Sequence, residues 1–165
     1  MKIRTDLVRK NIRVLPAAEA TSWAESAKQV IQLQLKDFEV TDTLRLALGE
    51  YAPLEGFLTE ADYEAVTRRY QLADGTPWDL PVVLAVDDET RAAISRGHIV
   101  ALVDRRNNLV GRLEVRSIYR GNSGRWLVGG PVDVVPSALE ARAKATRSFK
   151  DRLIDYASAL GAVAG

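Results

Sequence analysis

The chain has 165 residues, of which 47% are hydrophobic and 27% charged, and its 23 basic and 22 acidic residues leave a net charge of +1. That length suits one domain with a sizeable core, and the charge balance gives no general attraction to nucleic acid or an anionic membrane. Cysteine is absent, which excludes disulfides, thiolate zinc sites and cysteine nucleophiles, and the single histidine, His98, would have to carry any Ser-His-Asp or histidine-metal chemistry alone.

The opening stretch, MKIRTDLVRKNIRV, has no apolar core of signal-peptide length, and no run reaches the roughly 18 apolar residues of a membrane span. A cytoplasmic protein is the expectation. Ile12 to Leu15 reads as a short strand, and Pro16 to about Val30, rich in Ala and Glu, as a helix. Ile31, Leu33 and Leu35 alternate with Gln32, Gln34 and Lys36, the period of a half-buried strand.

Thr41 and Asp42 read as the start of a helix that Gly49 closes. Pro53 and Gly56 then break the chain. A second helix is predicted from Glu60 to about Tyr70, with Thr59 as N-cap and Asp62 completing a capping box. Leu58 and Tyr63 hold the positions of a hydrophobic staple. Asp74-Gly75 is a tight-turn signal. Leu80 to Val86 is a strand-length apolar run, with Pro81 near its start.

Asp87, Asp88 and Glu89 open a short helix that Arg96 and Gly97 close. Ile99 to Val103 is a strand, Asp104 to Asn108 a turn, and Leu109 to Ile118 a strand with one wet face. Beyond the Gly121–Gly124 turn, Arg125 to Val128 and Val132 to Val135 read as two strands separated by Gly129-Gly130-Pro131. Ser137 and Glu140 repeat the capping-box pattern, and a long amphipathic helix follows. Short strands, tight turns and interspersed helices predict an α+β domain around a small mixed β-barrel.

One stretch is more specific: GEYAPLEGFLTEADYEAVTRRYQLADGTPWDLPVVLAVDD, residues 49 to 88. Gly49, Tyr51, Pro53, Leu54, Gly56, Phe57, Asp62 and Tyr63 form its first half. Leu72, Ala73, Asp74, Gly75, Thr76, Trp78, Pro81, Val82 and Leu84 form its second. Gly97, Val100, Ala101 and Leu102, then Gly129, Gly130, Pro131, Val132 and Val134, continue in order. This pattern resembles the N-terminal, PUA-like domain of ATP sulfurylase (sulfate adenylyltransferase) over residues 10 to 136. The resemblance implies a PUA-like fold over 1–136, with 137–165 as an added C-terminal helical extension.

There are departures. Leu44, Leu48 and Ala52 replace Glu, Asn and Ser of the family pattern. His98 stands where the family usually has Asp. The family holds ATP and sulfate with a QTRNPxHxxH segment and a later GRDHAG segment of a second domain, and neither string occurs here. The resemblance therefore implies no catalytic residue, no metal and no cofactor in this chain.

Most candidate sites have a structural explanation beside the functional one. Pro53, Leu54, Gly56, Phe57, Asp62 and Tyr63 suit turn formation, packing and capping, or a loop that contacts a catalytic domain. Asp74, Gly75 and Trp78 suit a turn with a core aromatic. Gly129 and Gly130 suit a turn rather than a phosphate cradle. Asp87, Asp88 and Glu89 suit a solvated helix start rather than a divalent-ion site. His98 reads as structural or solvent-facing rather than catalytic. Arg105, Arg106, Arg112 and Arg116, with Arg120 and Arg125 beyond, form a candidate face for RNA or an anion, though acidic neighbours dilute it and nucleic acid is disfavoured.

The C-terminal helix places Leu139, Phe149, Leu153, Tyr156 and Leu160 near one face, either folded back on the barrel or offered to a partner or second copy. Asp151 and Asp155 interrupt its basic side, which argues against membrane-surface binding. The leading expectation is a stand-alone, non-catalytic accessory or interaction module of sulfur metabolism that docks on a separate nucleotidyltransferase chain. The alternatives are an RNA- or nucleotide-binding PUA-like module and a biosynthetic enzyme of different chemistry reusing the fold. A fragment of a longer enzyme is the least favoured reading, because a well-formed terminal helix is expected.

Overall fold

The structure is a computed structural model, and it describes residues 12–145. Its elements are α1 (Ala17–Ser26) with a 3-10 turn (Ala27–Gln29), β1 (Gln32–Gln34), α2 (Asp37–Ala47), β2 (Gly56–Phe57), α3 (Glu60–Arg69), β3 (Ala85–Val86), α4 (Asp88–Ala93), β4 (Ile99–Val103), β5 (Leu109–Glu114), β6 (Ser117–Arg120) and β7 (Trp126–Val134). A further helix, α5, occupies 136–145 of the described chain.

The seven strands form one curled sheet in the order β1-β4-β5-β7-β2, with β3 and β6 also on β7. Only β1 and β4 run parallel, and the other strand pairs are antiparallel. This is the half-barrel of a mixed α+β domain, as the short strands and tight turns predict.

β7 organises the sheet. Its first half pairs with β3 (Ala85↔Leu127) and β6 (Tyr119↔Leu127). Its second half pairs with β2 (Phe57↔Gly130) and β5 (Leu113↔Val132). The two strands expected around Gly129-Gly130-Pro131 are thus a single one. The bend is made possible by the glycines. Gly130 has φ 153°, and a Cβ there would strike the Glu114 carbonyl. A Cβ on Gly129 would strike the Leu58 carbonyl. The same change of partner divides the expected Leu109–Ile118 strand into β5 and β6, and the Arg116 N–H reaches the Gly129 carbonyl at 3.0 Å.

The core lies inside the curl, where Leu35, Leu46, Phe57, Leu58, Leu102 and Leu113 are fully buried. On the opposite face of β4, Ala101 packs with Leu15, Trp23, Ala27 and Val135. The Trp23 indole donates to the Gly111 carbonyl at 3.1 Å, so this aromatic is both buried and satisfied.

Four local expectations are corrected. α2 begins at Asp37, not at Thr41-Asp42: the Glu39 carboxylate accepts the Lys36 N–H at 2.9 Å, and Asp37 and Glu39 suit the positive helix start. Thr41 and Thr43 sit inside the helix and donate their hydroxyls back to the Asp37 and Glu39 carbonyls. α3 does start after Thr59, yet the Thr59 side chain makes no cap bond. Ser117 Oγ accepts the Glu60 N–H at 3.0 Å, and Asp62 accepts the Ala73 N–H at 2.9 Å. Of the Leu80–Val86 run only Ala85 and Val86 join the ladder: the Val82 N–H turns back to the Leu80 carbonyl at 3.0 Å, and Pro81 has no N–H to offer. α5 is already helical at Pro136, so Ser137 is not its cap; proline suits a first helical position. Ile12 to Leu15 contributes one parallel bridge, Val14 to Val134. Phe149, Leu153, Tyr156 and Leu160 lie outside the described residues.

Candidate functional site

The motif residues come from distant parts of the chain and meet at one cleft. The loop before β2 supplies Pro53, Leu54 and Glu55; β2 supplies Gly56 and Phe57; Leu58 and Thr59 follow. Asp62 enters from α3, Leu72 to Asp74 from the next turn, Arg116 from the β5–β6 junction, and Gly130-Pro131 from the bend in β7. The cavity they enclose is about 340 Å³.

Hydrogen bonds fix its walls. Asp62 holds the 72–74 turn through the Ala73 N–H. Within that turn Leu72 donates to the Thr76 carbonyl at 2.8 Å, and Gly75 to the Leu72 carbonyl at 2.9 Å. Asp74 accepts the Thr76 N–H at 2.9 Å, and this bond, with help from the Thr76 hydroxyl, holds the Asp74 carboxyl below its ordinary pKa. Gly75 has φ 92°, which explains glycine at that point. Gly56 lies so close to the Gly130 carbonyl that any side chain would collide with it. The turn and the glycines therefore act as scaffolding for the cleft.

The result is an apolar floor of Leu54, Phe57, Leu58 and Leu72 with a rim of Glu55, Asp62, Asp74 and Arg116. The Arg116 guanidinium is 57% exposed and pairs with Glu114 at 3.2 Å. The rim presents no paired nucleophile and base, and among the described residues no three His, Cys, Asp or Glu are grouped to hold a metal ion. An apolar floor with a charged rim suits recognition of another surface.

The other residues of interest lie elsewhere. Trp78 is outside the cleft: its indole donates to the Leu80 carbonyl at 2.6 Å, and its ring stands edge-on to Tyr51 at 6.2 Å. Tyr51 donates to Asp42 at 3.2 Å, yet burial still raises the Asp42 carboxyl above its usual range. Tyr63 packs on Tyr119 at 5.4 Å and accepts the Asn122 N–H at 2.8 Å. The arginines do not gather in one place. Arg105 pairs with Asp37 at 3.1 Å at the β4–β5 turn, where Arg106 is exposed, while Arg112 pairs with Asp133 at 3.1 Å in mid-sheet. Arg120 lies over the Trp126 ring at 4.6 Å. His98 is exposed, and its Nδ1 accepts the Ser95 N–H at 3.2 Å. Asp87 caps α4 by accepting the Thr90 N–H at 2.7 Å, which lowers its pKa. Leu139 packs half-buried against the core.

A larger cavity of about 690 Å³ lies between β1 and β3, with Lys36, Glu39, Asp87, Arg125 and Trp126 in its walls. Sequence reading missed it. Glu39, only 4% exposed, is its most unusual member: burial raises its pKa despite the Lys36 N–H and the nearby positive charges of Lys36 and Arg125. A Glu two residues into an unrecognised helix start was the signal available.

A family model described as "PUA-like domain" matches residues 8–125. The chain belongs to the PUA-like domain family. Curated relatives are named sulfate adenylyltransferase. That of Synechococcus elongatus is 34% identical over 110 residues, covering 67% of this chain and 28% of the relative. That of Microcystis aeruginosa is 34% identical over 116 residues, covering 70% and 30%. Among solved structures, the hexameric APS kinase from Thiobacillus denitrificans superimposes with a TM-score of 0.64 at 27% identity, over 74% of this chain and 25% of that one. The chain thus spans under a third of the length of these proteins. Its PUA-like domain resembles the one found in the ATP sulfurylases, a domain of sulfate-activating proteins. Among the described residues, no helix is long and apolar enough to cross a membrane.

Proposed function

We propose that this PUA-like domain is a non-catalytic accessory module of sulfate activation, acting in the cytoplasm and docking through the 53–62/72–74/116/130–131 cleft on a separate nucleotidyltransferase chain. The observation that carries the reading is convergence: three sequence-distant pieces of the family pattern build one apolar-floored, charge-rimmed cleft. Structural needs explain the glycines and turns there. Glu55, Asp74 and Arg116 each have a partner within the fold, Arg13, the Thr76 N–H and Glu114, yet all three remain exposed on the rim. A docking surface would use that exposed charge.

Reconstitution tests the reading. The purified chain alone is expected to form no adenylyl sulfate from ATP and sulfate. Mixed with a nucleotidyltransferase domain from the same cell, it is expected to bind at 1:1 and alter that enzyme's turnover. Turnover by the chain alone would refute the non-catalytic part of the proposal, and failure to bind would refute the docking part.

A further inference from the structure

Trp126, the first residue of β7, forms part of the wall of the larger cavity, and two guanidiniums lie over its ring. Arg120 reaches it from the paired position on β6 and Arg91 from α4, each 4.6 Å from the ring centroid. One cation over an indole is a stabilising contact. Two bring like charges inside the roughly 10 Å over which salt screens them, so they repel. Arg125 lines the same cavity beside Trp126, and Lys36 lines it from the start of α2. Among the described residues, none of these four cations pairs with a carboxylate. Arg91 Nε is buried with no hydrogen-bond partner, a costly state for a charged donor. The indoles of Trp23 and Trp78 donate to carbonyls, whereas that of Trp126 has no acceptor among the described residues.

The acids around the cavity do not answer this charge. Asp87 accepts the Thr90 N–H as a helix cap. Glu39 accepts the Lys36 N–H at 2.9 Å and meets the Ala85 backbone, and burial disfavours its charged form. Asp88 remains, exposed on the wall and outnumbered by the four cations. The cavity, about 690 Å³, has the size of an organic ligand rather than a lone ion. Leu33 and Leu84, both buried in the core, give it an apolar floor.

We propose that this cavity binds an organic phosphate ester, with its phosphate at the Lys36, Arg125 and Trp126 wall and its organic part against Leu33 and Leu84. A guanidinium fork matches phosphate oxygens, and the indole N–H supplies one more donor. A phosphate dianion answers several cations better than a singly charged sulfate ester does. It also brings a counter-charge toward Arg91 and Arg120. The site lies apart from the docking cleft and does not rest on the docking proposal.

Titration with phenyl phosphate, followed at the Trp126 indole N–H resonance, tests this; the resonance is identified by its loss in Trp126→Phe. Phenyl phosphate is expected to shift it saturably and to leave the buried Trp23 indole unmoved. Inorganic phosphate is expected to bind more weakly for want of the organic part, and phenyl sulfate for want of the second charge. Lys36→Ala/Arg125→Ala alters two exposed side chains and is expected to weaken phenyl phosphate binding at least about 10-fold. The proposal is overturned if phenyl phosphate leaves the resonance in place, if sodium chloride at matched ionic strength moves it equally, or if the double variant binds as tightly as the parent. Inorganic phosphate or phenyl sulfate binding as tightly as phenyl phosphate also overturns it.

Discussion

Tyr119 donates its buried hydroxyl to the Leu58 carbonyl at 2.7 Å, and that same carbonyl occupies the space a Cβ on Gly129 would need. One oxygen thus joins β6, the β2–α3 link and the bend of β7. Burial, with the negative surroundings of Tyr63, Glu60 and Asp62, raises the Tyr119 phenol far above its ordinary pKa, so the group remains a neutral donor. Tyr119→Phe leaves the carbonyl without this donor. The expected loss is about 1–3 kcal/mol of stability, read from urea denaturation at constant m-value.

The glycines separate by cause. At Gly75 nothing lies within 4 Å of the position a Cβ would take, and only the positive φ opposes a side chain. Gly75→Ala is expected to cost about 1–2 kcal/mol. At Gly130 a positive φ coincides with a collision against the Glu114 backbone. Gly130→Ala is expected to cost well over about 3 kcal/mol, which removes most of a typical domain's stability, and soluble yield with thermal melting reads the contrast.

The helix-start bonds make a paired prediction. Thr59 looks like a capping residue in sequence but makes no side-chain cap bond, so Thr59→Ala is expected to stay within about 0.5 kcal/mol of the parent. Asp62 instead ties α3 to the 72–74 turn, and Asp62→Ala is expected to cost about 1 kcal/mol and to speed exchange of the Ala73 amide. Equal effects of the two variants would show that the capping box forms after all.

This pair also shows what the sequence could reveal. The period of two in Ile31–Leu35, the Asp74-Gly75 turn, the α4 start at Asp87 and the apolar Ile99–Val103 strand were all readable, because each is set by neighbours along the chain. The misplaced start of α2, the continuous β7 and the real partners of Asp62 and Glu60 depend on contacts with remote residues. The cleft was legible only as separate motif pieces. Their meeting at Arg116 and Pro131 follows from the β7 bend, which no local pattern encodes. Glu39 escaped notice for the same reason: its buried carboxylate meets the backbone of Ala85, a residue far along the chain.

Glu39 gives a pH prediction. Its folded-state pKa is raised, so the folded chain holds the proton more tightly than the unfolded chain does. The sign follows from linkage: this contribution is fully present below the ordinary glutamate value and is lost as pH rises through the raised one. Glu39→Gln removes that titration. Relative to the variant, the parent chain is expected to lose stability as pH rises from about 4 to about 7, as measured by paired denaturation curves. A difference that stays constant over that range would show the carboxyl to be unshifted.

The docking claim is tested most directly by recovering the tagged chain from its native cells and identifying what accompanies it, alongside a Glu55→Lys/Arg116→Glu variant altered at the exposed cleft rim and away from the Asp74–Thr76 turn bond. The account predicts that a nucleotidyltransferase is recovered at near-equal amount with the parent chain and is lost with the folded variant. Recovery of no nucleotidyltransferase, or of equal amounts with both chains, would contradict it.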